Sequence, residues 1–206
     1  MLSRLRAGSA RALGPVARFL LARGVSPDAV TIAGTLGVVL AALVLLPTGH
    51  LTAAALVIAV FALTDLVDGL MARTAGRSGP WGAFLDSTLD RFGDAAIFSG
   101  LVVYLARSGD ELGAVLGLAC LALGAIVPYA RARAEGLGMT ASVGIAERAD
   151  RLFLVLLAIL LVGIGLPAVV LTVVLGLLAV ASAVTVVQRM ATVHRQAAER
   201  AREAGA

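Results

Sequence analysis

The sequence predicts an all-α integral membrane protein: six transmembrane helices preceded by an amphipathic juxtamembrane helix. Three observations lead there. Of its 206 residues 60% are apolar and only 15% charged, with a mean hydropathy of +0.98, a balance outside the range of ordinary soluble domains. The apolar residues fall into six stretches of about spanning length, separated by short polar or Gly/Pro-containing connections. The 17 basic residues other than histidine are all arginine, and nearly all sit in alternate connections.

Met1 to Val25 places Leu2, Leu5, Leu13, Val16 and Leu20 on one helical side and Arg4, Arg11 and Arg18 on the other, the pattern of a helix lying on a membrane surface. Arg18 and Arg23 interrupt its apolar run and no clean cleavage site follows, which argues against a signal peptide. Ser26-Pro27-Asp28 has the form of a helix start, with Ser26 as cap and Pro27 at the first helical position, and opens a span from Ala29 to Leu46. Spans two and three, Leu51 to Met71 and Gly82 to Ala106, are joined by the loop Thr74 to Trp81. Span four runs from Leu112 to Ala130, with Pro128 near its end, and span five begins near Leu152. Pro167 opens the sixth, which continues through Val187 into an arginine-containing tail. The organisation expected is an interfacial helix over 1–25, a six-helix catalytic domain over 26–195 and a polar cytoplasmic tail over 196–206. The one cysteine, Cys120, lies in an apolar run and reads as a small buried hydrophobe.

Four carboxylates stand at the edges of spans two and three, in the order D-x-x-D-G-x-x-A-R, eight residues, then G-x-x-x-D-x-x-x-D, from Asp65 to Asp90. Asp65 and Asp68 are spaced i, i+3 and Asp86 and Asp90 i, i+4, so each pair shares a helical face. By helical rise, Asp68 and Asp65 lie about 7 and 12 Å inward from Arg73, and Asp86 and Asp90 about 6 and 12 Å inward from Gly82, so an antiparallel hairpin brings all four to one level. A charge inside hydrocarbon costs at least about 2.5 to 3.5 kcal/mol, and a divalent cation is the natural compensation for four of them. Oxygen donors without His or Cys suit Mg²⁺ or Mn²⁺, and two such ions clamp both sides of a phosphoryl displacement. Gly69, Ala72 and Gly82 leave room for a bulky anion beside the metals, and Arg73 is placed to pair with a phosphate oxygen. Residue chemistry alone leaves a second reading open, an ion or proton transporter using the intramembrane aspartates.

The eight fixed positions of this series resemble the signature of the CDP-alcohol phosphotransferase family, with no departure. The resemblance implies a CDP-linked lipid donor, CDP-diacylglycerol, and metal held by Asp65, Asp68, Asp86 and Asp90. It implies that Asp90, the last of the four, also takes the proton of the attacking alcohol, and that a homodimer forms. The implied CDP-lipid pocket comprises Asp28, Ala29, Val30, Thr31, Gly69, Ala72, Arg73, Ser78 and Gly82, although Asp28 is equally readable as a helix cap. Asp94, one turn beyond Asp90, is assigned to structure.

Arg131, Arg148, Arg151 and Arg189 fall at the same ends of spans four, five and six, and that concentration of cations fits an acceptor with its own phosphate. YARARAE at Tyr129 to Glu135, ERADRL at Glu147 to Leu152 and VVQRM at Val186 to Met190 resemble the branch of the family that makes phosphatidylinositol phosphate in bacteria, which implies inositol phosphate as acceptor. Arg131 stands where that branch typically has Lys. Phosphatidylglycerophosphate synthesis, with glycerol 3-phosphate as acceptor, is the alternative within the family. Membrane lipid is the expected surrounding partner, and nothing suggests nucleic acid.

The N-terminal segment, the 74–81 loop with Arg73, the 131–151 connection and the tail hold 15 of the 17 arginines, so the positive-inside rule places all four, and the active site, on the cytoplasmic side of the cell membrane. A Ser78→Cys variant in a Cys120→Ala background should therefore resist a membrane-impermeant maleimide in intact cells and react once the cells are opened; labelling before lysis would reverse the orientation.

Overall fold

In the computed structural model, residues 13–76 and 79–204 are described, and they form eight helices. These are α1 (Leu13–Ala22), α2 (Pro27–Leu45), α3 (Leu51–Ala62), α4 (Thr64–Thr74), α5 (Pro80–Arg107), α6 (Glu111–Gly136), α7 (Arg148–Gly163) and α8 (Val169–Ala204). Four stretches are long and apolar enough to cross a membrane: Pro27–Leu45, Leu51–Thr74, Glu111–Gly136 and Val169–Glu203. The chain is thus an all-helical, multi-pass membrane protein. Of the expected surface helix, residues 1–12 lie outside the described residues; α1 is its remainder, with Ala17 buried against Val67 and Met71 of α4.

Helix starts follow the sequence signals closely. Ser26 caps α2 by accepting from the Ala29 N–H at 3.2 Å, with Pro27 as the first helical residue. Pro80 plays the same positional part in α5, so Trp81, expected in a loop, stands in the first turn of that helix. Asp110 caps α6 through its bond from Gly113 N at 2.8 Å and also accepts from Thr172 Oγ1, which ties α6 to α8.

Three boundaries differ from those expected. The second span is broken once, at Leu63 between α3 and α4, where Thr64 Oγ1 donates to the Phe61 carbonyl at 2.6 Å; such back-bonding competes with the helical ladder and favours a bend. Helix α6 continues through Pro128 and RARAE to Gly136, because arginine, alanine and glutamate are strong helix formers even where polarity has ended the apolar run. For the same reason α8 crosses the expected boundary at 195/196 uninterrupted and runs to Ala204.

The packing partners close into a ring, with α2 against α5, α5 against α6, α6 against α8, α8 against α7, α7 against α3 and α3 against α2. Its interior is a single apolar cluster that includes Ala42, Leu46, Ile58, Leu101, Ile159 and Leu175. Cys120 belongs to this cluster, with its thiol aimed at the Leu175 carbonyl. The glycines of α5 and α6 are used inside this ring: Gly100 backs directly onto the Ala42 backbone of α2, and Gly117 onto the Val102 side chain. Close helix approach at small residues is the usual means of packing in a membrane, where lipid supplies no hydrophobic drive for association.

A methyl at Gly100 meets a backbone carbonyl that cannot move aside, whereas one at Gly93 meets the Val38 side chain at an ordinary 3.6 Å. Gly100→Ala should cost about 1 to 3 kcal/mol of stability, typical of overpacking, and Gly93→Ala should be nearly neutral; thermal unfolding of the detergent-solubilised variants reads the difference.

Candidate active site

Two clefts open at one end of the ring, and Arg148 bridges the carboxylates of the two. The first, of 620 Å³, lies between the start of α2, the length of α4 and the start of α5. Asp65, Asp68 and Asp86 line it, together with Gly69, Ala72, Arg73 and Gly82 from the motif and Asp28 and Thr31 from α2. The second, of 320 Å³, lies between the ends of α6 and α8 and the start of α7, and is bordered by Asp90, Arg91, Arg131, Arg148, Arg151 and Arg189. A cavity of 20 Å³, room for about one water, sits behind the junction, with Asp65, Asp90 and Arg148 all in its wall.

The junction is an ionic cluster. Arg148 Nη1 lies 2.8 Å from Asp90 and 3.8 Å from Asp65, while its Nε donates to Asp94 at 3.1 Å. One guanidinium therefore joins carboxylates from α4 and α5 to the start of α7. Asp94, buried, is shared further with Arg151 at 3.8 Å and Arg91 at 3.7 Å. Asp68, also buried, accepts from Thr31 Oγ1 at 2.5 Å, and Thr31 can do so because its hydroxyl stands one turn into α2, at the cleft wall. Asp86 is exposed on the first cleft.

Among the described residues no three acids converge into a ready-made coordination sphere, because the Arg148 guanidinium stands between Asp65 and Asp90. The donor set itself fits a hard divalent cation: all oxygen, no His or Cys, with Asp65 and Asp90 already facing one positive charge. Asp65, Asp68, Asp86 and Asp90 are the residues that would hold it.

The remaining expected residues divide. Asp28 faces the first cleft and accepts from Trp81 Nε1 at 3.0 Å, so the start of α2 is latched to that of α5. Ala29 and Val30 do not line the cleft; Ala29 is exposed, and Val30 packs with Val67 and Met71, because successive residues of a helix point to different sides. Ser78 lies outside the described residues. All four expected phosphate-binding arginines border the second cleft, though not equivalently. Arg131 is exposed and pairs with Glu135 at 2.8 Å, one turn on. Arg189 already donates to two carbonyls, Val143 O at 2.9 Å and Val127 O at 2.5 Å, which leaves part of its five-donor fork for a ligand.

Two cleft residues escaped the sequence reading. Trp81 had a signal, being the chain's one tryptophan and placed after Pro80 beside the motif. Arg91 follows Asp90 directly, yet only tertiary contact shows its side chain at the second cleft, with Nε buried and unbonded.

The profile of the CDP-alcohol phosphatidyltransferase family matches residues 24–178, three quarters of the chain and all of the aspartate motif. The chain belongs to this family. Its relatives include the phosphatidylinositol phosphate synthases of Streptomyces avermitilis, 47% identical over 94% of this chain and 82% of the relative, and of Cutibacterium acnes, 46% identical over 95% and 98%. Among solved structures, the Mycobacterium tuberculosis phosphatidylinositol phosphate synthase with CDP-diacylglycerol bound superposes with a TM-score of 0.86 at 42% identity, covering 89% of this chain and 94% of that one. The same mycobacterial enzyme in complex with manganese and citrate gives a TM-score of 0.85 at 41% identity, covering 88% of each chain.

Because Trp81 is the only tryptophan and borders the first cleft, its fluorescence should report entry of a cytidine nucleotide there. Titration with a soluble CDP-alcohol in the presence of Mn²⁺ should give a saturable change in emission, reduced or lost in Asp68→Asn; an unchanged spectrum at saturating nucleotide would place the nucleotide elsewhere.

Proposed function

We propose that this chain is a phosphatidylinositol-phosphate synthase, transferring the phosphatidyl group of CDP-diacylglycerol to inositol phosphate with release of CMP. The observation that carries the reading is that Arg148, in the wall of the arginine-lined cleft, reaches both Asp90 of that cleft and Asp65 of the aspartate-lined cleft, so the two stand side by side. The family membership, the relatives at 46–47% identity and the mycobacterial structure with CDP-diacylglycerol support it.

In this reading the first cleft holds the CDP end of the donor, with Arg73 against a phosphate oxygen and Gly69 and Gly82 leaving its backbone accessible. Mg²⁺ or Mn²⁺, two ions on Asp65, Asp68, Asp86 and Asp90, supplies charge neutralisation of the pyrophosphate and polarises the phosphorus for attack. Arg131, Arg148, Arg151 and Arg189 hold the phosphate of the acceptor in the second cleft, so that its hydroxyl faces Asp90. Asp90 takes the hydroxyl proton as the oxygen bonds to the phosphorus nearer the diacylglycerol; the bond from that phosphorus to the CMP oxygen breaks, and CMP leaves. Asp94 keeps Arg148 and Arg151 oriented and stays out of the proton transfer.

The same reading counts six spans, adding α5 and α7 to the four apolar ones. Both are members of the closed helix ring; α5 is long enough at about 42 Å, and α7, shorter at about 24 Å, carries an apolar run from Leu152 that continues past its end to Leu166. α1 is the end of an interfacial helix. Both clefts face the cytoplasmic side of the cell membrane, supported by the arginine distribution. The homodimer implied by the family resemblance belongs to this reading as well.

A direct competition tests the acceptor. With CDP-diacylglycerol, Mg²⁺ or Mn²⁺ and equal inositol phosphate and glycerol 3-phosphate, the main lipid product by mass should be phosphatidylinositol phosphate; phosphatidylglycerophosphate would overturn the acceptor, and no CMP release with any polyol would overturn the transferase. Asp90→Asn should lower turnover by about 10²- to 10⁴-fold while the Trp81 response to nucleotide is retained, and near-normal turnover would remove Asp90 from the proton transfer.

A further inference from the structure

The connection from α6 to α7, residues 137–147, ends on Ala146 and Glu147 and leads into Arg148 at the start of α7, all three bordering the arginine-lined cleft. A backbone without regular structure must satisfy its polar groups elsewhere. Among the described residues, no backbone–backbone hydrogen bond involves the N–H or C=O groups of 140–146. Their partners are side chains, almost all from α8.

Three residues of α8 supply them, and a fourth holds the start of the connection. Thr185 Oγ1 accepts from the N–H groups of Ile145 at 3.2 Å and Ala146 at 3.1 Å while donating to Ala181 O one turn back. Arg189 Nε donates to Val143 O. The Gln196 amide takes both backbone groups of Thr140, its Oε1 accepting from Thr140 N at 3.0 Å and its Nε2 donating to Thr140 O at 2.6 Å. Arg200 donates to the carbonyls of Leu137 and Gly138. Spacings of four, seven and four residues at about 100° per residue put all four within about 60° on one face of α8.

Length gives a reason for the arrangement. Helix α8 has 36 residues and is about 54 Å long, whereas a bilayer core takes about 30 Å, so its last turns extend beyond any hydrocarbon layer. Gln196 and Arg200 lie in this extension, do not border the second cleft, and outside their own helix hydrogen-bond only to the connection.

We propose that Gln196 and Arg200 are positioning residues for the acceptor: the extension of α8 is a splint that sets the path of 137–147, and thereby the placement of Ala146 to Arg148, without touching substrate. The proposal rests on the second cleft being the acceptor site, as above. No residue of 137–148 or of α8 lines the first cleft, so donor binding should change far less than acceptor binding.

The test is steady-state kinetics of full-length Gln196→Ala/Arg200→Ala, with Glu199→Ala on the same exposed turn as control. The KM for inositol phosphate should rise about tenfold in the double variant, while the KM for CDP-diacylglycerol and the thermal midpoint stay near wild type. Gln196→Glu, which keeps the acceptor for Thr140 N–H and loses the donor to its carbonyl, should fall between. Amide hydrogen exchange over 140–146 should quicken in the double variant and not in Glu199→Ala. An acceptor KM within twofold of wild type, or acceptor and donor KM rising together with a lowered thermal midpoint, would overturn the proposal. If the wild type prefers glycerol 3-phosphate, the acceptor assignment falls, and the splint is judged by the same KM ratio with that acceptor.

Discussion

Arg148 is the hinge of the charge balance on which this structure depends. Five aspartates, 65, 68, 86, 90 and 94, sit within or at the edge of an apolar helix ring, where unpaired carboxylates are costly and where removing one partner of an ion pair costs more than the pair gains. A single guanidinium meets three of them, with Arg91 and Arg151 completing the set around Asp94. The planar fork matters, since it addresses Asp90 and Asp94 through different nitrogens, which the point charge of a lysine does not do in the same geometry. The start of α7 is therefore held to α4 and α5 by ion pairs, while the rest of the helix packs on α3 and α8.

The same cluster divides the chemistry. On one side of the Arg148 cluster lies a wall of carboxylates and small residues suited to metal and pyrophosphate; on the other lies a wall of arginines suited to a second phosphate. In the proposed reading each of two anionic substrates has its own counter-charges, so they would approach one another without facing each other's charge unscreened. Glycines at helix contacts, such as Gly34 against Thr64 and Gly100 against Ala42, keep α2 close enough to α4 and α5 for Thr31 to reach Asp68. Tight packing remote from the clefts thus has a direct bearing on their shape.

The clefts are built from helix ends, and the ends are held by latches between distant parts of the chain: Asp28 to Trp81, Gln196 to Thr140, Arg200 to the end of α6. Such latches use polar side chains at positions that a periodicity reading treats as solvated. The α8 extension is the clearest example, because a run such as QAAERAREA reads as a polar tail and in fact continues a helix whose stripe of side chains satisfies a loop.

The sequence by itself determined the class of fold, the places where most helices start, and the membership of the aspartate motif. Each depends on information local in the chain: apolar run length, the Ser26-Pro27 cap, the i, i+3 and i, i+4 spacing of the acids. Only the tertiary structure decided that Arg148 lies against Asp65, Asp90 and Asp94, that Arg91 and Trp81 border the clefts, that Val30 turns into a packing cluster instead of the pocket, and that the second span breaks at Leu63. The physical reason is that direction and partner are set across the ring. Arg148 is 54 residues from Asp94 in sequence and 3.1 Å from it in space, and no property of either residue's neighbours in the chain encodes that meeting.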